Sequence, residues 1–194
     1  MTRPGTSFAP PPPTAAWQHV GARTGFEVVY FEVLGGGYRA EGCTTAVEDG
    51  LTWIVSYRID LDAGWATRAA HLTSRSTAGR RETRVESDGA GRWHVDGEPA
   101  PVLDGCLDLD LEASALTNAF PVHRLPLPEG ELTQAPAAFV RAPGLQLERL
   151  EQTYTRTPEP GTYAYTAPAF GTACALRYDL HGLVVDYPGL ARRA

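Results

Sequence analysis

The stretch LTWIVSYRIDLD, residues 51–62, decides the fold class. Large apolar residues occupy every second position from Leu51 to Leu61, and polar residues fill the positions between them except at Ile54. This period of two places the apolar groups on one face of a β-strand, whereas a helix would scatter them around its circumference. Twelve residues at about 3.3 Å each would span about 40 Å, about twice the usual strand length. A strand this long twists, so the stretch predicts a curved sheet.

The flanking sequence predicts a meander of strands joined to their sequence neighbours. Turn residues separate the apolar runs, with Gly35-Gly36-Gly37 and Asp49-Gly50 as the clearest examples. Sequential strands with short turns pair with each other in an antiparallel sheet. The predicted strands of this half cover residues 26–33, 38–47, 51–62, 65–74, 80–87 and 93–95.

The middle of the chain predicts one short helix. Leucines alternate with the acidic residues Asp108, Asp110 and Glu112, and an alanine-rich run over 113–120 then ends at Pro121. A carboxylate can accept hydrogen bonds from the first N–H groups of a helix, so Asp110 is the predicted cap. The last third predicts strands at 132–141, 145–156, 161–166, 172–179 and 183–186. Leu147, Leu150 and Tyr154 lie at helical spacing, so the 145–156 stretch needs a bulge to be a strand. The fold class predicted is mainly β, a large curved antiparallel sheet or barrel with one short helix.

Composition excludes several classes of function. The net charge is −6, and all basic side chains are arginines spread among more numerous carboxylates, which argues against nucleic acid as a partner. No run approaches the about 20 apolar residues of a membrane-spanning helix. Residues 1–16 are proline-rich and lack the apolar core of a secretory signal, so they predict a disordered tail before a single domain at 17–194 in a cytoplasmic protein.

The sequence predicts neither a metal site nor a cofactor. Cys43, Cys106 and Cys174 are far apart and odd in number, unlike a disulfide framework or a Cys-x-x-Cys zinc pattern. The five histidines form no ligand pair, and the glycine-rich turn lacks the spacing that binds dinucleotides or phosphates.

Two groups of residues are candidates for chemistry. Asp108 and Asp110 could act as acid and base if one were buried, but the favoured interpretation is a solvent-facing row opposite the leucines. The aromatic side chains Trp53, Tyr57 and Trp65 could line a ligand cavity, and ordinary core packing is the alternative.

Two motifs resemble a bacterial family described as glycolipid-binding. They are GCLDLD at 105–110 and LTNAFPVHRL at 116–125, and the closing stretch GLVVDYPGL at 182–190 is also similar. The resemblance extends from Trp17 onward and implies a spiral β-roll, in which a many-stranded sheet wraps around one helix and two protomers form a dimer. His123 departs from the pattern, because the family tends to have a second arginine there.

These observations predict a binding protein for a hydrophobic or glycolipid-like small molecule. We expect the concave face of the sheet to hold an acyl chain, with Thr117, Asn118 and Arg124 meeting a headgroup at the rim. One alternative is a hydrolase-like enzyme that uses Asp108 or Asp110 as general base. Another is a structural dimer module whose interior is filled by its own helix.

Overall fold

The computed structural model describes residues 8–21 and 23–194. The described strands are β1 (Thr14–His19), β2 (Arg23–Leu34), β3 (Gly37–Glu48), β4 (Leu51–Asp62), β5 (Thr67–Ser76), β6 (Gly79–Ser87), β7 (Trp93–Val95), β8 (Glu98–Pro99), β9 (Asp108–Leu111), β10 (Leu132–Gln134), β11 (Ala137–Val140), β12 (Leu147–Leu150), β13 (Thr153–Arg156), β14 (Thr162–Ala167), β15 (Thr172–Tyr178), β16 (Val184–Tyr187) and β17 (Ala191–Arg193). The described helix α1 covers Ala119–Arg124, and short 3₁₀ turns cover Pro101–Leu103 and Pro168–Phe170.

Fourteen strands form one antiparallel sheet in the order β10-β13-β14-β15-β16-β17-β1-β2-β3-β4-β5-β6-β7-β8. The remaining strands form a small sheet in the order β12-β11-β9, in which β9 and β11 run parallel. Strands β2, β3 and β4 pair over twelve consecutive positions without a register shift. The predicted class, a mainly β protein with a large curved antiparallel sheet around one short helix, is confirmed.

Strand β4 covers the same residues as the stretch that predicted it. Trp53, Val55, Tyr57, Ile59 and Leu61 are buried, and the residues between them are exposed or half-buried. The next strand starts two residues later than predicted, because Trp65 takes a positive φ of 67° in the turn that closes onto Asp62. Alternation therefore located the strand interiors, and turn geometry shifted one boundary.

The segment around β9 and α1 is enclosed by the sheet. All four residues of β9 are buried, and so are Ala119, Phe120, Pro121 and Val122 of the helix. The helix predicted at 113–120 with a stop at Pro121 is wrong. Pro121 instead lies in the first turn of α1, where a missing N–H costs no helical hydrogen bond. Asp110 is not its cap, since Asn118 is the N-cap and makes no side-chain capping bond.

Two predicted strands in the last third are each split between the sheets. The 132–141 stretch forms β10 in the large sheet and β11 in the small one, and the 145–156 stretch forms β12 and β13 likewise. Gln152 lies at the second crossing, where its carbonyl accepts from the N–H of Ala135. The sequence does not reveal where the chain passes from one sheet to the other, because strands of both sheets pack apolar residues against the same core.

The boundary predicted for the N-terminal tail is wrong for its last residues. Thr14 to Ala16 belong to β1 and pair with β2, and Ala15 is buried. The N–H of Ala9 donates to the carbonyl of Leu180 at 2.9 Å. Residues 1–7, also assigned to that tail, lie outside the described residues.

Large side chains fill most of the interior. The largest fully buried ones are Trp17, Trp93, Tyr154, Tyr163, Phe120, Ile59, Leu72, Leu103, Leu109, Leu116, Leu176 and Leu183. The concave face is therefore packed by the protein itself over much of its area, and space for a ligand has to be sought at its margins. Within the described residues, no helix has the length and apolar character needed to cross a bilayer.

Candidate functional site

A cavity of about 200 Å³ lies between the small sheet and strands β14 to β16 of the large sheet. The side chains and backbone around it combine acidic, amide, hydroxyl and aromatic groups. They belong to Arg23, Asp110, Leu111, Glu112, Ser114, Asn118, Phe139, Tyr165, Phe170, Thr172, Tyr187 and Leu190. A cavity of about 150 Å³ holds benzene, so this one accommodates a group about the size of a six-membered ring.

Asp110 brings a buried carboxylate to the cavity. It lies on β9, is only 6% exposed, and its Oδ1 accepts a hydrogen bond of 2.7 Å from the hydroxyl of Thr117. Burial raises the pKa of Asp110 to about 6; the Thr117 hydrogen bond opposes this, and the charges of Asp108 and Glu112 add to it. Asp110 forms no ion pair with any described residue. The cavity thus contains an acid that titrates near neutral pH and has acceptor capacity left.

Neutral hydrogen-bonding groups surround this carboxylate. Asn118 donates from Nδ2 to the hydroxyl of Tyr154 at 2.9 Å, and the hydroxyl of Tyr178 donates to the Asn118 carbonyl at 3.1 Å. The hydroxyl of Tyr165 donates to Gln152 at 2.8 Å. Burial raises the pKa of Tyr165 far above its ordinary value, so the phenol stays protonated. On this side of the cavity Asp110 is therefore a carboxylate among amides and phenols, whereas the other carboxylate that lines the cavity, Glu112, is paired with Arg141.

Aromatic side chains form the mouth of the cavity. The rings of Phe139 and Phe170 lie 5.1 Å apart, and the Arg141 guanidinium covers both, at 5.2 Å and 4.9 Å from their centroids. Phe170 is 41% exposed on the 3₁₀ turn. Ring faces of this kind pack against the C–H face of a sugar or against a hydrocarbon chain.

The two guanidiniums nearest the mouth already have acidic partners. Arg23 pairs with Glu48 at 3.1 Å and donates to the carbonyl of Glu112 at 3.1 Å. Arg141 pairs with Glu112 at 3.3 Å and with Glu148 at 2.7 Å. The positive charges of both arginines are therefore compensated by carboxylates of the protein itself, without a ligand.

The motif residues predicted from the sequence fall into two groups. Asp110 and Asn118 line the cavity, and Thr117 orients the Asp110 carboxylate. Asp108 and Arg124 instead form a two-bond ion pair, with distances of 2.9 Å and 2.6 Å, and their side chains are 1% and 14% exposed. The interpretation of the aspartates as a solvent-facing row is wrong, because the enclosed strand β9 buries both of its faces.

The predicted aromatic residues are buried, and none of the three lines this cavity, although Trp53 lines a separate and more open depression of about 520 Å³. Trp65 stacks on His123 with centroids 3.6 Å apart, and Trp53 lies under the Arg23 guanidinium at 5.7 Å. The hydroxyl of Tyr57 donates to Glu27 at 2.7 Å. A Cβ at Gly42 would lie 2.6 Å from that hydroxyl, so this position on β3 has to be glycine.

Sequence reasoning missed the cavity residues outside the motifs. Tyr165 and Tyr187 lie on β14 and β16, which pair with their sequence neighbours but meet Asp110 of the remote strand β9 only at the cavity, and Phe170 lies in a turn. One usable signal was Glu27, an acidic residue at a buried position of β2. Its carboxylate accepts from the Ser114 hydroxyl and from the N–H of Ala115 at 2.8 Å, which fixes the cavity wall to the large sheet.

Metal binding has no candidate here: the described residues contain no group of three His, Cys, Asp or Glu side chains placed to hold an ion. The fold and the cavity together define a β-roll protein with a ring-sized, hydrogen-bonding pocket bordered by aromatic groups. A family model described as "Putative glycolipid-binding" matches residues 14–193, and the chain belongs to that family. The chain is also similar to a solved structure, a DUF1089 family protein from Pseudomonas aeruginosa. The two share 31% identity and a TM-score of 0.76, over 100% of this chain and 98% of that one. No curated protein matches the chain.

Proposed function

We propose that the protein binds a glycolipid by its sugar headgroup, which occupies the cavity beside Asp110 while the hydrocarbon tail points outward. The observation that carries this proposal is the composition of the cavity. Its inner wall has Asp110 and Asn118, and its mouth has the exposed ring of Phe170. Sugar hydroxyls need acceptors and donors at fixed positions, and the C–H face of the sugar packs on an aromatic ring.

The volume of the cavity favours the headgroup over the tail. Drug-sized ligands occupy pockets of about 300–1,000 Å³, and the cavity measures about 200 Å³. A long acyl chain does not fit there, and burying it against Asp110 would desolvate the carboxylate without giving it a partner. The sequence-based expectation of a chain on the concave face is therefore replaced by a headgroup inside and a tail at the rim formed by Phe170 and Leu190.

The test compares three ligands that separate head from tail. Isothermal titration calorimetry is run with octyl glucoside as monomers, with glucose and with octanol. We expect octyl glucoside to bind at least about tenfold more tightly than either part, since head and tail each add free energy and each tenfold step corresponds to about 1.4 kcal/mol. Equal affinity of octanol and octyl glucoside would overturn the proposal.

A blocking variant locates the binding site. Thr172→Trp places an indole at the mouth of the cavity, and we expect it to abolish octyl glucoside binding. Ala173→Trp adds the same bulk to the same strand on its exposed face and serves as the matched control. Retained binding in Thr172→Trp would place the ligand elsewhere.

A second candidate function is hydrolysis of a glycoside with Asp110 as general acid or base. The observation that favours it is the position of a carboxyl with a pKa of about 6 in the cavity wall. The companion carboxylate predicted for this role, Asp108, is held by Arg124, so the two aspartates do not form a free pair. Release of free sugar from octyl glucoside over hours, absent in Asp110→Asn, would favour the enzyme over the binding protein.

We also infer a homodimer, with the outer face of β2 to β4 as the contact. Phe26 is 53% exposed and Tyr30 is 64% exposed there, and the same face carries Val28, Val47 and Ile54. Large exposed apolar patches on a sheet are typical of protein interfaces. Light scattering after size exclusion should give twice the chain mass for the wild type and one chain mass for Phe26→Glu/Tyr30→Glu. A wild-type monomer would contradict the inference.

A further inference from the structure

Negative charge predominates around the cavity. Asp110 lines it without a basic partner among the described residues, and Glu112 lines it next to Arg141. Glu48 forms an ion pair with Arg23, and Glu148 forms one with Arg141. Asp110, Glu112 and these two partners thus make four carboxylates against the two guanidiniums of Arg23 and Arg141. Each guanidinium already forms an ion pair.

A further carboxylate stands behind the wall. Glu27 on β2 is fully buried and is held by the hydroxyls of Tyr57 and Ser114 and the N–H of Ala115. Burial raises the pKa of Glu27, and the hydrogen bonds oppose that shift. No described basic group forms an ion pair with Glu27. This part of the wall therefore adds no positive charge to the surroundings of the cavity.

The strands packed against Asp110 supply no positive charge either. The side chains that interact with it electrostatically are the phenols Tyr154, Tyr165, Tyr178 and Tyr187 of β13 to β16. The charges of Asp108, on the same strand, and of Glu112, directly after that strand, both raise its pKa. Thr117 donates to it from the loop before α1. Arg23 of β2 lines the same cavity but is paired with Glu48.

We propose that this cavity accepts a neutral or amino-sugar headgroup and rejects an anionic one, with Asp110 as the residue that discriminates. The inference rests on the proposed binding of a sugar headgroup in the cavity. A hydroxyl or ammonium group donates to the open acceptor positions of the Asp110 carboxylate, whereas a carboxylate or phosphate meets a like charge in a poorly solvated site. Like-charge contacts of this kind are a common means of excluding wrong ligands.

The experiment uses octyl glycosides with the same tail and ring and a different headgroup charge. Calorimetry at pH 7.5 compares octyl glucoside, octyl glucuronide and octyl glucosaminide on the full chain. We expect the glucuronide to bind at least about tenfold more weakly than the glucoside, and the glucosaminide at least as tightly as the glucoside. Equal or tighter binding of the glucuronide would overturn the charge selectivity.

Asp110→Asn is the variant that assigns the discrimination to this residue. Asparagine keeps the shape and the acceptor for the Thr117 hydroxyl while removing the charge. We expect the ratio of glucoside to glucuronide affinity to fall by at least about fivefold in this variant. A ratio unchanged in a folded Asp110→Asn protein would contradict the assignment.

A pH series on the wild type gives the same information without a substitution. Between pH 7.5 and pH 5 Asp110 gains a proton, because its pKa is about 6, while a glucuronide stays ionised because ordinary carboxyl groups titrate at about 4. Burial lowers the pKa of His19 and His123 to about 4, so both remain neutral in this range. We expect glucuronide affinity to rise on acidification and glucoside affinity to stay level or fall.

The outcomes separate the two proposals. If no glycoside binds more tightly than octanol, the sugar-binding function itself fails. If the glucoside binds and the glucuronide binds equally well at both pH values, the function stands and the charge selectivity fails. Weak glucuronide binding at pH 7.5 that recovers at pH 5 and in Asp110→Asn supports both.

Discussion

The two ends of strand β9 carry the same acidic residue in opposite circumstances. At one end Asp108 accepts two hydrogen bonds from Arg124. At the other end Asp110 has a hydroxyl donor and a cavity. The two positions are separated by a single leucine, so the strand itself does not explain the difference.

The difference lies in what compensates the charge. In the Asp108–Arg124 ion pair each charge already has a buried partner, so this end of the strand needs no ligand to compensate it. Burial raises the pKa of both aspartates, but Asp110 has a hydroxyl donor in place of an arginine and keeps unused acceptor positions, which supports the proposed binding of a ligand at this end. Motif residues adjacent in sequence can therefore serve stability and binding separately.

The largest expected effect on stability is at the Asp108 end of β9. Arg124→Met leaves Asp108 buried without its partner, and we expect the free energy of unfolding to fall by about 3–5 kcal/mol. Urea denaturation followed by tryptophan fluorescence measures this loss. The double variant Arg124→Met/Asp108→Leu should recover most of it, and failure to recover would show that Arg124 contributes by packing rather than by charge.

The Asp110 end should respond in the opposite direction. The folded state holds the Asp110 proton more tightly than the unfolded chain does, because its pKa is about 6 when folded and about 4 when unfolded. The contribution of Asp110 to stability is therefore lost as pH rises from about 4 through about 6. We expect Asp110→Asn to be more stable than the wild type by about 2 kcal/mol at pH 8 and equally stable at pH 4. Urea titrations at the two pH values measure the difference, and a destabilised variant at pH 8 would mean that the carboxylate has a compensating partner.

The mouth of the cavity tests binding with little change in stability. Phe170→Ala removes a ring that is 41% exposed and leaves Phe139 and Arg141 in place. We expect octyl glucoside affinity to fall by about three- to tenfold, the range of one aromatic contact. Val102→Ala, an exposed apolar residue of the other 3₁₀ turn, is the control. Equal losses in both variants would argue against a role for the mouth.

The smallest expected effect is at an exposed ion pair, which serves as the reference for the buried pair of Arg124. Arg58 and Glu41 form an ion pair at 3.0 Å with side chains 50% and 57% exposed. Arg58→Met should change the free energy of unfolding by no more than about 1 kcal/mol, since water and salt screen such pairs. A loss as large as that of Arg124→Met would show that burial is not what separates the two ion pairs.

Periodicity predicted the long strands because each has one buried face and one solvent-exposed face. The residues of β4 alternate along the whole stretch, so their pattern is unambiguous. Alternation gives no such information for β9 and β11, which are buried on both sides. The helix was misplaced because an alanine-rich run predicts helix, while the N–H of Ala115 is taken by Glu27, a residue remote in sequence.

The candidate site was only partly predictable for a related reason. The family motif led to Asp110, Thr117 and Asn118, which are close in sequence and in space. Phe139, Tyr165 and Phe170 reach the same cavity from other strands and a turn, and nothing in their local sequence distinguishes them from core residues. The charge state of each aspartate depends on whether a distant arginine reaches it, which only the tertiary structure decides.

The uninterrupted twelve-position register of β2, β3 and β4 restricts how this family can vary in length. One residue inserted or deleted within these strands would exchange every inward side chain for an outward one beyond that point. The hydrogen bond between Tyr57 and Glu27 would then be lost, and so would the hydrogen bond that joins Glu27 to Ala115 in the cavity wall. Viable length changes should therefore occur in the turns, such as Gly35-Gly36, or as pairs of residues that keep the two faces of the sheet distinct.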